Sequence, residues 1–126
     1  MKTMLRLIAL VLLLVTSGVV VTTTTAQADT LTFKVQSSSD YELRMAFYST
    51  SRNVYWPGGG NSYRMVDYDV HNIKLSCRPN ERICYGAWQE DGDQHWGVGH
   101  AREFGCTKCC YTCKGNTTTG LINLTD

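Results

Sequence analysis

The stretch Leu31-Thr32-Phe33-Lys34-Val35-Gln36-Ser37-Ser38-Ser39-Asp40-Tyr41-Glu42-Leu43-Arg44-Met45-Ala46-Phe47 decides the fold class. Leu31, Phe33 and Val35 alternate with Thr32, Lys34 and Gln36. Tyr41, Leu43, Met45 and Phe47 repeat the pattern, with Glu42 and Arg44 between them. A period of two places alternate side chains on one face of a strand, so both runs read as half-buried β-strands. Ser37 to Asp40 supplies a turn, and the simplest expectation is a β-hairpin.

The same pattern extends toward the C-terminus. Val54-Tyr55-Trp56 and Tyr63 to Val66 read as short strands around a glycine-rich loop, Pro57 to Ser62, because glycine runs cost too much entropy to hold in a ladder. Ile73, Leu75 and Cys77 alternate with polar residues. Arg78-Pro79-Asn80-Glu81 then turns the chain, with proline setting the first corner. Arg82 to Gln89 reads as the return strand, Glu90 to Asp93 as another turn, and His95 to His100 as a further strand. About seven short strands at close spacing predict a mostly β domain, a small antiparallel sandwich or barrel. Ala101 to Cys113 has few β-branched residues and predicts one short cysteine-rich helix, ended by Gly115. Asn116 to Gly120 reads as a polar linker, and Leu121 to Asp126 as a frayed end or a final strand.

Toward the N-terminus the character differs. Lys2 and Arg6 precede an uncharged run, Leu7 to Val21, then polar Thr22 to Thr25 and the small residues of Ala26-Gln27-Ala28. That is the layout of a secretory signal peptide over 1–28, cleaved before Asp29. The run falls short of the roughly 20 apolar residues a spanning helix needs. No cysteine precedes Cys77 to take a lipid. The expected organisation is therefore a leader (1–28), a β domain (29–100) and a cysteine-rich C-terminal segment (101–126) packed on it, in an exported protein of the periplasm or extracellular space. Without the leader the chain has 10 basic and 11 acidic residues, a net charge of −1. No basic field exists to hold nucleic acid or an anionic membrane.

All six cysteines follow the leader. An even number in an oxidising compartment points to disulfides among Cys77, Cys84, Cys106, Cys109, Cys110 and Cys113. On a helix, the last four would share one face. If the Pro79 turn closes a hairpin, Cys77 and Cys84 both point to the face carrying Ile73, Leu75 and Trp88. A Cys77–Cys84 bond and bonds from both to the C-terminal block then remain alternatives, and spacing does not choose between them. Four thiolates in the Cys106 to Cys113 block are the ligand set of a tetrahedral zinc site, although its two C-x-x-C pairs abut, where zinc sites separate them. A thiol–disulfide redox site is a third reading, weakened by the poor strand character of Phe104-Gly105 before it.

Other chemistry is sparse. Tryptophans offer large rigid contact area with a polar handle. Trp88 shares the expected inward parity of Cys84 and Gly86 and is read as core. Tyr55 and Trp56, beside the glycine loop, and Trp96 form the candidate ligand or partner surface. His95 and His100 are five residues apart and face opposite sides of a strand, and His71 stands alone. Glu90-Asp91-Gly92-Asp93 lacks the further carboxylate of a calcium loop. Asn116-Thr117-Thr118 and Asn123-Leu124-Thr125 fit the N-glycosylation pattern. There is no Ser/His/Asp order, no paired catalytic carboxylates and no phosphate loop. No residue set calls for a cofactor.

The run Cys77 to Trp88 with Ile83-Cys84-Tyr85-Gly86-Ala87-Trp88, followed by Trp96-Gly97-Val98-Gly99 and the Cys106 to Cys113 block, resembles small uncharacterised secreted cysteine-rich proteins of bacteria. The resemblance implies a periplasmic or extracellular location, no assigned activity, and chance matches at Asn116 and Asn123. The expected function is a non-enzymatic exported domain that binds a protein or small ligand. A thiolate metal-binding protein is the alternative, and a redox enzyme a third.

Overall fold

The computed structural model describes residues 17–23 and 28–126. The expected leader lies for the most part outside the described residues. Among these there is no helix long and apolar enough to cross a membrane.

The chain is mostly β, in two sheets that do not close into a barrel. In chain order the strands are β1 (Asp29–Ser37), β2 (Leu43–Ser49), β3 (Tyr55–Trp56), β4 (Tyr63–Met65), β5 (Val70–Cys77), β6 (Arg82–Gln89), β7 (His95–Gly97), β8 (Cys110–Thr112) and β9 (Asn116–Leu124). The first sheet runs β5-β1-β9. In the second, β2 and β6 pair centrally, with β3 and β4 beside β2, and β7 and β8 beside β6.

The alternation of Leu31, Phe33 and Val35 is right, but their partner is not β2. β1 pairs antiparallel with β5, Phe33 opposite Ile73, and parallel with β9, Val35 opposite Ile122. The serine turn carries the chain from one sheet to the other instead of closing a hairpin. Ser37 Oγ accepts the Ser39 N–H and Ser39 Oγ accepts the Tyr41 N–H, which turns the corner with side-chain acceptors. The Pro79 turn makes a second crossing. Glu81 N–H closes onto Arg78 O at 3.0 Å, and Asn80 takes the left-handed corner at φ 65°. The expected β5–β6 hairpin is therefore absent: β6 pairs with β2, Met45 opposite Ala87. Among the described residues the β6–β7 hairpin follows the expected turn at Glu90 to Asp93, and β2–β3 closes over the loop after Ser49.

Both sheets face one core. Leu31, Phe33, Val35, Leu75, Ile122 and Leu124 of the first sheet meet Leu43, Met45, Phe47, Ile83 and Ala87 of the second. Phe33 and Phe47 lie ring to ring at 4.4 Å across the interface.

The C-terminal segment corrects two expectations. Ala101 to Cys113 is not helical. It holds one 3-10 turn, His100–Arg102, then irregular chain and β8. Local propensity left the choice open, and disulfides with extended pairing hold the chain out. Asn116 to Gly120 is not a linker but the first half of β9. Its threonines are polar because the strand lies at the sheet edge, with only Thr119 buried among them. Residues 101–126 thus contribute a strand to each sheet, and the fold is not wholly antiparallel.

Candidate functional site

The six cysteines form three disulfides, Cys77–Cys113, Cys84–Cys110 and Cys106–Cys109. Cys77 points into the core from β5, whereas Cys84 lies on the opposite face of the second sheet. The expected shared face of Cys77 and Cys84 does not exist, because the Pro79 turn changes sheet. Cys77–Cys113 ties β5 to the chain between β8 and β9, and Cys84–Cys110 bonds directly opposed residues of β6 and β8. The four cysteines of the C-terminal block are thus divided among three bonds. Among the described residues no group of three or more metal-ligating side chains converges.

Beside these bonds sits an ion pair between a buried carboxylate, Glu81, and a half-buried guanidinium, Arg52. Glu81, 4% exposed, accepts bonds from Arg52 at 2.5 and 2.8 Å, from Ser49 Oγ at 2.6 Å and from the Arg78 N–H at 3.0 Å. The Arg52 guanidinium and these further donors outweigh burial and hold its carboxyl down at about 2. Arg52 also lies 5.9 Å from the centre of the Trp56 ring. This knot joins the β2–β3 loop to the second sheet crossing.

The second sheet has a further apolar cluster on the face turned away from the core. Ala46, Tyr48 and Cys84 lie there under Val98 and Cys109, with Tyr55, Trp88, Cys106 and Cys110 packed around them. The covering chain comes close. A Cβ on Gly86 would collide with the backbone of Gly99, so glycine is required where the cover crosses β6. The cover fills only part of this face. Next to it lies a cavity of about 310 Å³, lined by Ala46, Tyr48, Tyr55, Trp88, His100, Ala101 and the loop residues Gly60, Asn61 and Ser62.

Each wall is held by a hydrogen bond to an aromatic hydroxyl. The Ala101 N–H donates to Tyr48 Oη at 3.0 Å, and the Gly60 N–H donates to Tyr55 Oη. Gly58, Gly59 and Gly60 all have positive φ, at 81°, 65° and 76°, a run that only glycine adopts without strain. Ala101 and Arg102 also sit in the left-handed region, at 52° and 58°. Non-glycine residues there carry strain, which is often concentrated at functional sites. Burial raises the Tyr48 phenol above its ordinary value, with the Ala101 N–H opposing. Tyr48 and Tyr55 stack at 6.1 Å, and Trp88 lies 4.5 Å from the His100 ring.

Of the three surface aromatics expected from sequence, only Tyr55 lines the cavity. Trp56, its neighbour on β3, packs on the core instead. So does Trp96, whose Nε1 donates to Thr125 O at 2.7 Å. Trp88, read as core, is half-buried on the outer face and lines the cavity. That follows from the mistaken hairpin, since Gly86 and Trp88 do share the parity of Cys84, but away from the core. Tyr48, His100 and Ala101 gave no distinct signal in the sequence. The expected opposition of His95 and His100 across one strand does not hold, because β7 ends at Gly97 and His100 lies in the 3-10 turn. Both rings come to the Trp88 side, His100 against Trp88 and His95 stacked on Phe104 at 3.5 Å, while His71 pairs with Asp67 at 2.6 Å.

Comparison of the chain with protein-family models, with characterised proteins and with solved structures returns no match.

Proposed function

We propose that this is an exported, disulfide-stabilised, non-enzymatic domain that binds a small ligand in the cleft bounded by Tyr48, Tyr55, Trp88 and His100. The observation that carries the reading is the cleft itself. It is a preformed concave space with aromatic walls and a few polar groups, the ordinary character of a ligand site. Ser62 and His100 both line it, but no hydrogen bond joins them and no carboxylate is present in the lining, which favours binding over catalysis. Export to the periplasm or outside the cell is supported by three disulfides and by the leader-like sequence ahead of Asp29. The division of Cys106, Cys109, Cys110 and Cys113 among three bonds favours this reading over thiolate metal binding or thiol redox chemistry.

A thermal-shift screen of the oxidised protein against a library of small neutral metabolites and short peptides tests the proposal. At least one compound is expected to raise Tm in the native chain and not in Trp88→Ala or Tyr55→Ala. A screen without any such compound would refute it. Intact-mass measurement of the exported protein is expected to show a chain beginning at Asp29, six hydrogens below the reduced mass and free of metal.

A further inference from the structure

We infer that the ligand class of this cleft is a neutral saccharide ring, an assignment that rests on the binding reading above. The lining holds three aromatic side chains and no aspartate, glutamate, lysine or arginine. A charged ligand would give up its hydration there without meeting an opposite charge. A purely apolar ligand would instead strand the polar tips that ring the space: two phenol hydroxyls, the Asn61 amide, the Ser62 hydroxyl and the His100 imidazole. A pyranose satisfies both kinds of surface. Its axial C–H faces are apolar and flat enough for aromatic contact, and its equatorial hydroxyls both give and take hydrogen bonds.

The phenols are prepared for this. Each hydroxyl oxygen already accepts a backbone N–H, Tyr48 from Ala101 and Tyr55 from Gly60. Each therefore keeps its own hydrogen to donate to a ligand oxygen. Their positions are fixed before binding, which lowers the ordering cost of recognition. Size narrows the class further. About 310 Å³ is at the small end of ordinary ligand sites, roughly 300–1,000 Å³, and suits one ring better than an extended peptide.

Saturation-transfer NMR on the oxidised protein tests the inference, with D-glucose, D-galactose, D-mannose and N-acetyl-D-glucosamine as probes. A proline-rich decapeptide and 1-naphthol serve as competing ligand classes. The expected result is saturable transfer to the ring C–H protons of at least one sugar. Trp88→Ala is expected to weaken binding about tenfold or more, the loss of one aromatic contact face. Tyr55→Phe keeps the ring and removes only the hydroxyl, and is expected to weaken it severalfold in a chain that still folds. Lys74→Ala, on the far sheet, should change nothing. Transfer to the peptide or to naphthol, lost in Trp88→Ala and without sugar binding, overturns the saccharide class and leaves the cleft as a binding site. Absence of transfer to every probe overturns the saccharide class, and it leaves the cleft itself to the thermal-shift screen. Sugar binding unchanged in both cleft variants overturns the location.

Discussion

The two faces of the second sheet are built by different means. On the inner face Leu43, Met45, Phe47, Ile83 and Ala87 are sealed against another sheet, with exposures of zero. On the outer face Ala46, Tyr48 and Cys84 are covered by a single irregular stretch of chain, tethered through Cys84–Cys110 and folded on itself by Cys106–Cys109. A sheet is a broad template and fills the space opposite it. A tethered loop covers what it reaches and leaves the remainder concave. The inner face therefore carries stability, and the outer face carries the open space proposed above as a ligand site. Disulfides suit the second task because they hold a cover in place without needing it to be closely packed.

If that division is right, core truncations should be the most damaging. Phe47→Ala removes a ring packed on Phe33 and Tyr63 and is expected to cost about 3–5 kcal/mol in urea unfolding. Trp88→Ala, on the outer face, should cost clearly less. Equal losses would mean the outer face is a second core and not a site.

The disulfides sharpen the same contrast. Cys77–Cys113 spans 36 residues and enters the core, whereas Cys106–Cys109 spans three and lies in the cover. By loop-closure entropy the first is worth about 4 kcal/mol and the second about 2 kcal/mol. Replacing Cys77 and Cys113 together by alanine should lower global stability more than the same change at Cys106 and Cys109. The latter pair should chiefly speed amide exchange between Val98 and Cys110. Loss of global stability in the reverse order would break the comparison.

What the sequence displays and what it conceals follow the same line. Strand parity is local, so Phe33, Met45, Phe47 and Leu75 could be assigned to buried faces from period alone. Pairing is not local. Ser37 to Asp40 and Arg78 to Glu81 have good turn chemistry, but a turn that crosses between sheets uses the same residues as one that closes a hairpin. That single ambiguity moved Cys84, Gly86 and Trp88 to the wrong side. The parallel pairing of β9 with β1 joins positions such as Thr30 and Asn116, for which no short-range pattern exists. The cleft was legible in part: the glycine loop and Tyr55 were visible, but Tyr48 and His100 acquire meaning only when the cover brings Ala101 onto β2.

A pH titration probes the seam where the two sheets are joined. Glu81 has a folded pKa of about 2 against an ordinary 4.5. A depressed carboxyl stabilises the fold above its unfolded value, and that contribution is lost as pH falls through the folded value. The shift corresponds to about 3 kcal/mol, present at pH 6 and lost between about pH 5 and pH 2. Glu81→Gln should flatten the stability profile across that window. An unchanged acid limb in the variant would show that other carboxylates set it.

The smallest effect expected is the most specific to the outer face. Tyr48→Phe keeps the ring and removes the acceptor for the Ala101 N–H, at a cost of about 1 kcal/mol. The loss should be local. Ala101 is held at φ 52°, a conformation its side chain disfavours, and the phenol bond is one of the contacts that keep it there. Released, the turn at His100–Arg102 should relax toward commoner backbone angles and draw His100 away from Trp88. Amide exchange at Ala101 and Arg102 should rise while Phe47 and Ile83 stay protected. Exchange rising equally on both faces would show that the cover and the core open as one unit, and that the cleft is not independently adjustable.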